Sequence, residues 1–124
     1  MSQDSINVSV QTEYIEAQSD ALNGVFTFAY HVEISNNSSE TVQLITRKWI
    51  ITDANGITKE VSGEGVVGLQ PVLQPGQVHR YTSGAVLKTP IGCMYGHYGM
   101  RTMQGDTFNA NIPVFSLAVP GLVN

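Results

Sequence analysis

The chain reads as an all-β protein, an immunoglobulin or fibronectin type III-like β-sandwich of about seven antiparallel strands. Apolar and polar residues alternate with a period of two along almost the whole length. No segment of helical length keeps apolar residues at i, i+3, i+4 and i+7, and turn-forming residues recur at short intervals.

Val8, Val10, Thr12 and Tyr14 share one face of a first strand, with Asn7, Ser9, Gln11 and Glu13 on the other. Phe26, Phe28, Tyr30, Val32 and Ile34 form the clearest inward stripe, which places this second strand centrally in the core. After the polar turn Asn36-Asn37-Ser38-Ser39, a third strand runs from Thr41 to Thr52. Its Val42 and Leu44 are out of phase with Trp49 and Ile51, which predicts a β-bulge that turns the only tryptophan inward. Asp53-Ala54-Asn55-Gly56 is a turn, so Ile57 to Ser62 return as a hairpin. Pro75-Gly76 makes another turn before a strand from Gln77 to Ser83. Residues 92–103 and 107–119 are the last two strands, joined at Gln104-Gly105-Asp106. A small closed barrel is the alternative architecture.

A chain of 124 residues is one domain, 1–124, able to bury roughly two thirds of its unfolded surface without disulfide or metal. Residues 1–5 and 120–124 are expected to fray. The net charge of −4 with six Lys and Arg provides no electrostatic footprint for nucleic acid or an anionic membrane. Met1-Ser2-Gln3-Asp4-Ser5 has neither the basic nor the apolar region of a secretory signal. No apolar run approaches the ~20 residues of a membrane helix, which rules against membrane insertion and against a transporter acting alone. One cysteine, Cys93, fits a reducing compartment, so the expected location is cytoplasmic.

Gly63-Glu64-Gly65-Val66-Val67-Gly68 matches G-x-G-x-x-G in letters. That pattern serves a dinucleotide when it opens a helix whose N-terminus faces pyrophosphate. Here Pro71 and Pro75 follow closely, so a long helix is not expected, and Glu64 puts a carboxylate inside the cradle. A backbone nest aided by Lys59, Arg80 or Lys88 stands against a glycine-rich bend crossing between sheets, and the prolines favour the bend.

Cys93 and His97 on an extended strand lie ~13 Å apart, too far to share one zinc. Convergence of His31, His79 and His97 from different strands stands against single exposed histidines, the reading that their motif-less spacing favours, and no metal ligand set is assigned. Asp53, Glu60 and Glu64 offer oxygen ligands to a hard cation, with a solvated acidic surface as the simpler reading. Ser83 in Tyr81-Thr82-Ser83-Gly84 is not in a nucleophile elbow. Cys93 in Gly92-Cys93-Met94-Tyr95 reads equally as a small buried apolar residue and as a reactive thiol. Tyr95, His97 and Gly99 share one face and Met94, Tyr98 and Met100 the other, the pattern of core or subunit contact.

The runs Arg47-Lys48-Trp49-Ile50-Ile51-Thr52-Asp53-Ala54-Asn55-Gly56, Gly63 to Pro71, Tyr81-Thr82-Ser83-Gly84, Thr89-Pro90-Ile91-Gly92, Met94 to Met100 and Ile112-Pro113-Val114-Phe115-Ser116-Leu117 together closely resemble the bacterial ApaG family. The resemblance covers nearly the whole chain. It implies a fibronectin type III-like sandwich, often a homodimer, in a family associated with Co²⁺ and Mg²⁺ efflux. The same domain in eukaryotic F-box proteins and in a polymerase-interacting protein implies protein binding. A pyrophosphate site proposed for the family's glycine motif falls here on Gly63, Gly65 and Gly68. The expectation is a non-catalytic, cofactor-free interaction module that influences divalent-cation homeostasis through a protein partner. The alternatives are a pyrophosphate or nucleotide sensor using residues 63–68 and, third, a phosphoanhydride hydrolase.

Overall fold

The structure of the protein, a computed structural model, describes residues 5–121. Eight strands follow in order: β1 (Ile6–Tyr14), β2 (Phe26–Asn36), β3 (Val42–Asp53), β4 (Thr58–Glu64), β5 (Val72–Leu73), β6 (Val78–Leu87), β7 (Ile91–Thr102) and β8 (Thr107–Ala118). All pairings between them are antiparallel. One sheet has the order β1-β2-β6, and the other β4-β3-β7-β8, with β5 paired to the start of β3. The sandwich predicted from alternation is therefore the observed fold.

Period-two patterning sets the layers. Phe26, Phe28, Tyr30, Val32 and Ile34 on β2 all point into the core, where burying each large side chain contributes about 1.5–3 kcal/mol. From the opposing sheet come Val42, Leu44, Trp49, Met94, Tyr98, Met100 and Leu117. Pairing of β3 with β7 shifts register between Leu44 and Thr46, the predicted bulge. The extra residue, Ile45, lets Leu44 and Trp49 both face inward. Trp49 then sits edge-on to Tyr30 at 5.3 Å, Phe115 at 5.8 Å and Tyr98 at 6.2 Å between ring centres. A second register shift, between Met94 and Gly96, displaces β8 at Pro113 and Val114.

The structure differs from the sequence reading in several places, among them β4, which runs on to Glu64, and β5, which the alternation did not predict. β6 continues through Gly84 to Leu87 because it keeps pairing with β2 as far as Phe26. Two single turns of 3₁₀ helix, Glu16–Gln18 and Ala21–Asn23, join β1 to β2, too short for any periodicity to reveal. The glycine-rich segment is a bend, as the prolines predict, but it does not cross between sheets: the chain stays beside β3 through β5 and changes sheet at the Pro75-Gly76 turn. Of the ends expected to fray, residues 1–4 and 122–124 lie outside the described residues. Ser5 is tied down, its carbonyl accepting from the Asn37 N–H at 2.8 Å.

Asn36 is wholly buried at the end of β2 and holds the crossing in place. Its amide donates to the carbonyls of Glu40 at 2.8 Å and Leu73 at 2.9 Å, and its oxygen accepts from the N–H and hydroxyl of Ser38. Removing that amide strands several buried groups. Asn36→Ala is expected to lower stability by about 2–4 kcal/mol in urea unfolding. A loss under about 1 kcal/mol would show that the network does not hold the turn.

Candidate functional site

The glycine segment is a hairpin folded back beside Arg47 of β3 and Tyr81 to Ser83 of β6. Val66 and Leu69 exchange both backbone hydrogen bonds, at 2.8 and 3.0 Å, around Val67 and Gly68. Both tip residues have positive φ, 48° and 77°, as a type I′ turn requires. Val67 is the one non-glycine residue with positive φ among the described residues. A β-branched side chain there costs on the order of 1–2 kcal/mol.

Each glycine of the motif has its own steric reason. A Cβ at Gly63 would lie 2.8 Å from the Arg47 guanidinium, and one at Gly65 would collide with the Leu69 carbonyl oxygen. Gly68 has open space but a left-handed backbone. The N–H groups of Gly65, Val66 and Leu69 already donate to the carbonyls of Ile45, Leu69 and Val66. Only the tip amides of this hairpin, Val67 and Gly68, remain for a ligand, and no helix follows to add a dipole. Gly63, Gly65 and Gly68 therefore shape a cap, with Val66 as its buried plug.

Beneath the cap lies Arg47, turned inward by the same bulge that turns Trp49. Its Nη1 donates to the carbonyls of Glu64 at 2.9 Å and Gly65 at 3.0 Å. The guanidinium makes no ion pair with a carboxylate among the described residues. It opens onto a cavity of about 390 Å³ between the sheets, lined also by Tyr30, Trp49, Tyr81 and Ser83. The Tyr81 and Tyr98 hydroxyls hydrogen-bond to one another next to it. Burial drives the Tyr98 hydroxyl far above the ordinary tyrosine value, with Tyr81 beside it adding to the rise. Burial likewise raises Tyr81, against a smaller lowering by its bond to Tyr98.

The histidines do not converge. His31 is on the outer face of the three-stranded sheet, its Nδ1 2.8 Å from the Thr82 hydroxyl and its Nε2 3.4 Å from Glu13. His79 shares the inner face of that sheet with its partner Ile34, and His97 pairs with Lys48 on the outer face of the other sheet. Cys93 is half-buried on β7. Glu60 is paired with Lys48 at 2.9 Å, and Asp53 accepts from the N–H groups of Asn55 and Ile57 in its own turn. Among the described residues no three His, Cys, Asp or Glu side chains gather as a metal site. Ser83 lies within β6, and Met94, Tyr98 and Met100 face the core while Tyr95 stays exposed, as their alternation predicts.

Sequence reasoning missed Arg47 and the tyrosine pair. The signal for Arg47 was present: after the bulge it shares a phase with Trp49 and Ile51, a cation on an inward stripe. The Tyr81–Tyr98 contact joins strands of different sheets, which no local pattern encodes.

Two outcomes follow from this geometry. Gly65→Ala should cost at least about 2 kcal/mol in chemical unfolding, against about 1 kcal/mol for Gly68→Ala, whose strain is conformational alone. Equal costs would contradict the collision with Leu69. The second concerns alkaline pH. Both buried tyrosines have folded-state values above the unfolded value of about 10, so their contribution is fully present below that pH and is lost as pH rises past it. Stability should fall by up to about 1.4 kcal/mol per pH unit for each tyrosine, and Tyr81→Phe should flatten the decline. Unfolding curves between about pH 8 and 11 that show no decline would refute it.

Among the described residues no helix is long and apolar enough to cross a membrane. Comparison with known proteins gives a concordant picture. A family model, the ApaG domain, matches residues 16–102. A Protein ApaG of Cronobacter sakazakii is 54% identical over 117 residues, covering 94% of each chain. Another from Sinorhizobium fredii is 51% identical over 118 residues, covering 95% of this chain and 91% of that one. An X-ray structure of a structural-genomics target, SoR45, superposes with a TM-score of 0.93 at 51% identity, covering 98% of this chain and 92% of the other. With the alternating strands, the inward tryptophan and the glycine hairpin all accounted for within one fold, the chain belongs to the ApaG domain family.

Proposed function

We propose that this chain is a non-catalytic, cytoplasmic interaction module that influences Co²⁺ and Mg²⁺ efflux indirectly, by binding a protein partner. The observation that carries the reading is the unequal width of the two sheets. Among the described residues β4 and β6 each have one edge without a strand partner, and the two flank one open seam. Unpaired strand edges are templates for another chain, and a sandwich that keeps one next to a polar cavity has a ready recognition surface. Association with a second copy of this chain is one form that such binding takes. The link to divalent-cation efflux rests on the family resemblance of the motifs, and the module would act there on a membrane protein or its regulator rather than move the ion itself.

One observation favours a second reading, a sensor of pyrophosphate or nucleotide: the inward Arg47 has no carboxylate partner among the described residues. The hydrogen-bonded hairpin amides weigh against it, because a phosphate nest needs several free N–H groups converging on one point.

Affinity capture from the native cytosol at two Co²⁺ concentrations separates these readings. The module reading expects one protein retained in stoichiometric amount, with recovery that changes with Co²⁺. Retention of nothing beyond a control bait, together with stoichiometric calorimetric binding of pyrophosphate, would transfer the assignment to the sensor. Release of product from dinucleoside polyphosphates would instead make it an enzyme.

A further inference from the structure

The seam between β4 and β6 has the shape of a missing strand. Thr12 of β1 donates to the Ser116 carbonyl of β8 at 3.3 Å, so those two edges meet. β2 meets β3 and β8 through Tyr30, Trp49 and Phe115, and β6 meets β7 through the tyrosine pair. β4 has no counterpart in the three-stranded sheet. Its inner face carries Lys59, Val61 and Gly63, of which Lys59 is exposed and Val61 half-buried.

Three adjoining cavities, of about 390, 340 and 270 Å³, occupy the space along this seam. The first two share Arg47 and Ser83, and the second and third share Ile51, Lys59 and Val86, so the groove is continuous. One wall is the inner face of β3 and β4. The other is β6, which among the described residues pairs only with β2 and so turns half of its N–H and C=O groups outward without a strand partner.

Charge marks the same place. Of the six Lys and Arg in the chain, Lys48 is paired with Glu60 and Arg80 with Glu33. Arg47, Lys59 and Lys88 line the groove, and none of them forms an ion pair among the described residues. In a chain of net charge −4 this concentrates half of the positive side chains on one seam. Their spacing fits an extended ligand. Arg47 lies opposite Gly63, and Lys59 is on the same face of β4 at the i, i+4 separation, ~13 Å along the strand, with Val61 between them.

Resting on the interaction-module reading, we propose that this groove takes an extended acidic segment of a partner protein. The segment pairs with the free edge of β6 as a fourth strand above β4. Two of its carboxylates, at i and i+4, meet Arg47 and Lys59, and the residue at i+2 is apolar and covers Val61. Lys88 extends the cationic wall at the far end. At the opposite end the hairpin residues Val66 to Gly68 close the groove beyond Arg47, while Glu64 follows inward Gly63 and turns to the outer face of β4. Asp53, an acid in the groove, is held by the N–H groups of its own turn. Main-chain bonds supply affinity in this mode and the alternate side chains supply specificity.

The test uses the full chain, isotopically labelled, and a capped heptapeptide, Ser-Glu-Thr-Val-Thr-Glu-Ser, with a twin carrying lysine in place of both glutamates. Titration to about 1 mM, a level that detects even weak complexes, is expected to move the backbone amides of Tyr81 to Leu87 with the acidic peptide and not with its twin. The double variant Lys59→Glu, Lys88→Glu changes two exposed side chains and is expected to keep its spectrum while binding on the order of tenfold more weakly. Absence of shifts along β6, equal shifts with both peptides, or an undiminished affinity of the double variant would overturn the proposal. So would an Arg47 side-chain response to pyrophosphate without one to the peptide, which would mark a free-anion site. A cytosolic partner retained equally by the wild-type chain and the double variant would defeat this groove while leaving the module reading intact, whereas retention of no partner would defeat that reading itself.

Discussion

Burial of Trp49 between the sheets depends on one inserted residue. At Ile45 the third strand gains a position that its partner β7 lacks, and every later side chain changes face. Without that shift Trp49 would stand on the solvent side while Val42 and Leu44 stayed inside. With it, the indole becomes the meeting point of Tyr30, Tyr98 and Phe115, and the two sheets gain a shared aromatic centre. Edge-on aromatic contacts of this kind add about 0.5–1.5 kcal/mol each beyond area burial, so the bulge is a stabilising feature of the sheet.

The same inversion brings Arg47 inside. A guanidinium at the rim of an aromatic core needs its donors satisfied, and the carbonyls of Glu64 and Gly65 provide for Nη1. For those carbonyls to reach it, β4 must pass close by, which excludes a side chain at Gly63. The chain must then reverse sharply, which places Gly65, Val67 and Gly68 in left-handed conformations. The glycine pattern is thus explained by the packing of one arginine and one buried valine. Its likeness to a dinucleotide fingerprint lies in its letters, because the helix that gives that fingerprint its electrostatics is replaced by a hairpin and a short strand.

Much of the fold was legible in the residues. The alternation on β2, the phase change on β3 and the turns at Asp53–Gly56 and Gln104–Asp106 are all local, and each maps onto an observed element. The extension of β6 was not legible, since Gly84 interrupts its pattern and only pairing with Ala29 keeps it extended. Val72 and Leu73 were hidden between prolines and form a strand because β3 offers them an edge. At the candidate site, the glycines were visible as a motif, whereas Arg47 was missed although its phase with Trp49 carried the signal. The Tyr81–Tyr98 pair and the groove along β6 were not visible, because each is made by residues from different strands.

The linear chain by itself determined the class of structure, the presence of a bulge between Leu44 and Trp49 and the absence of a long helix around Pro71, because these follow from side-chain period and backbone stereochemistry within a few residues. Tertiary structure alone decided, among the described residues, which strand edges stay open and which cations find no acid. Both are properties of distance between segments remote in sequence, set by how a three-stranded layer sits on a wider one.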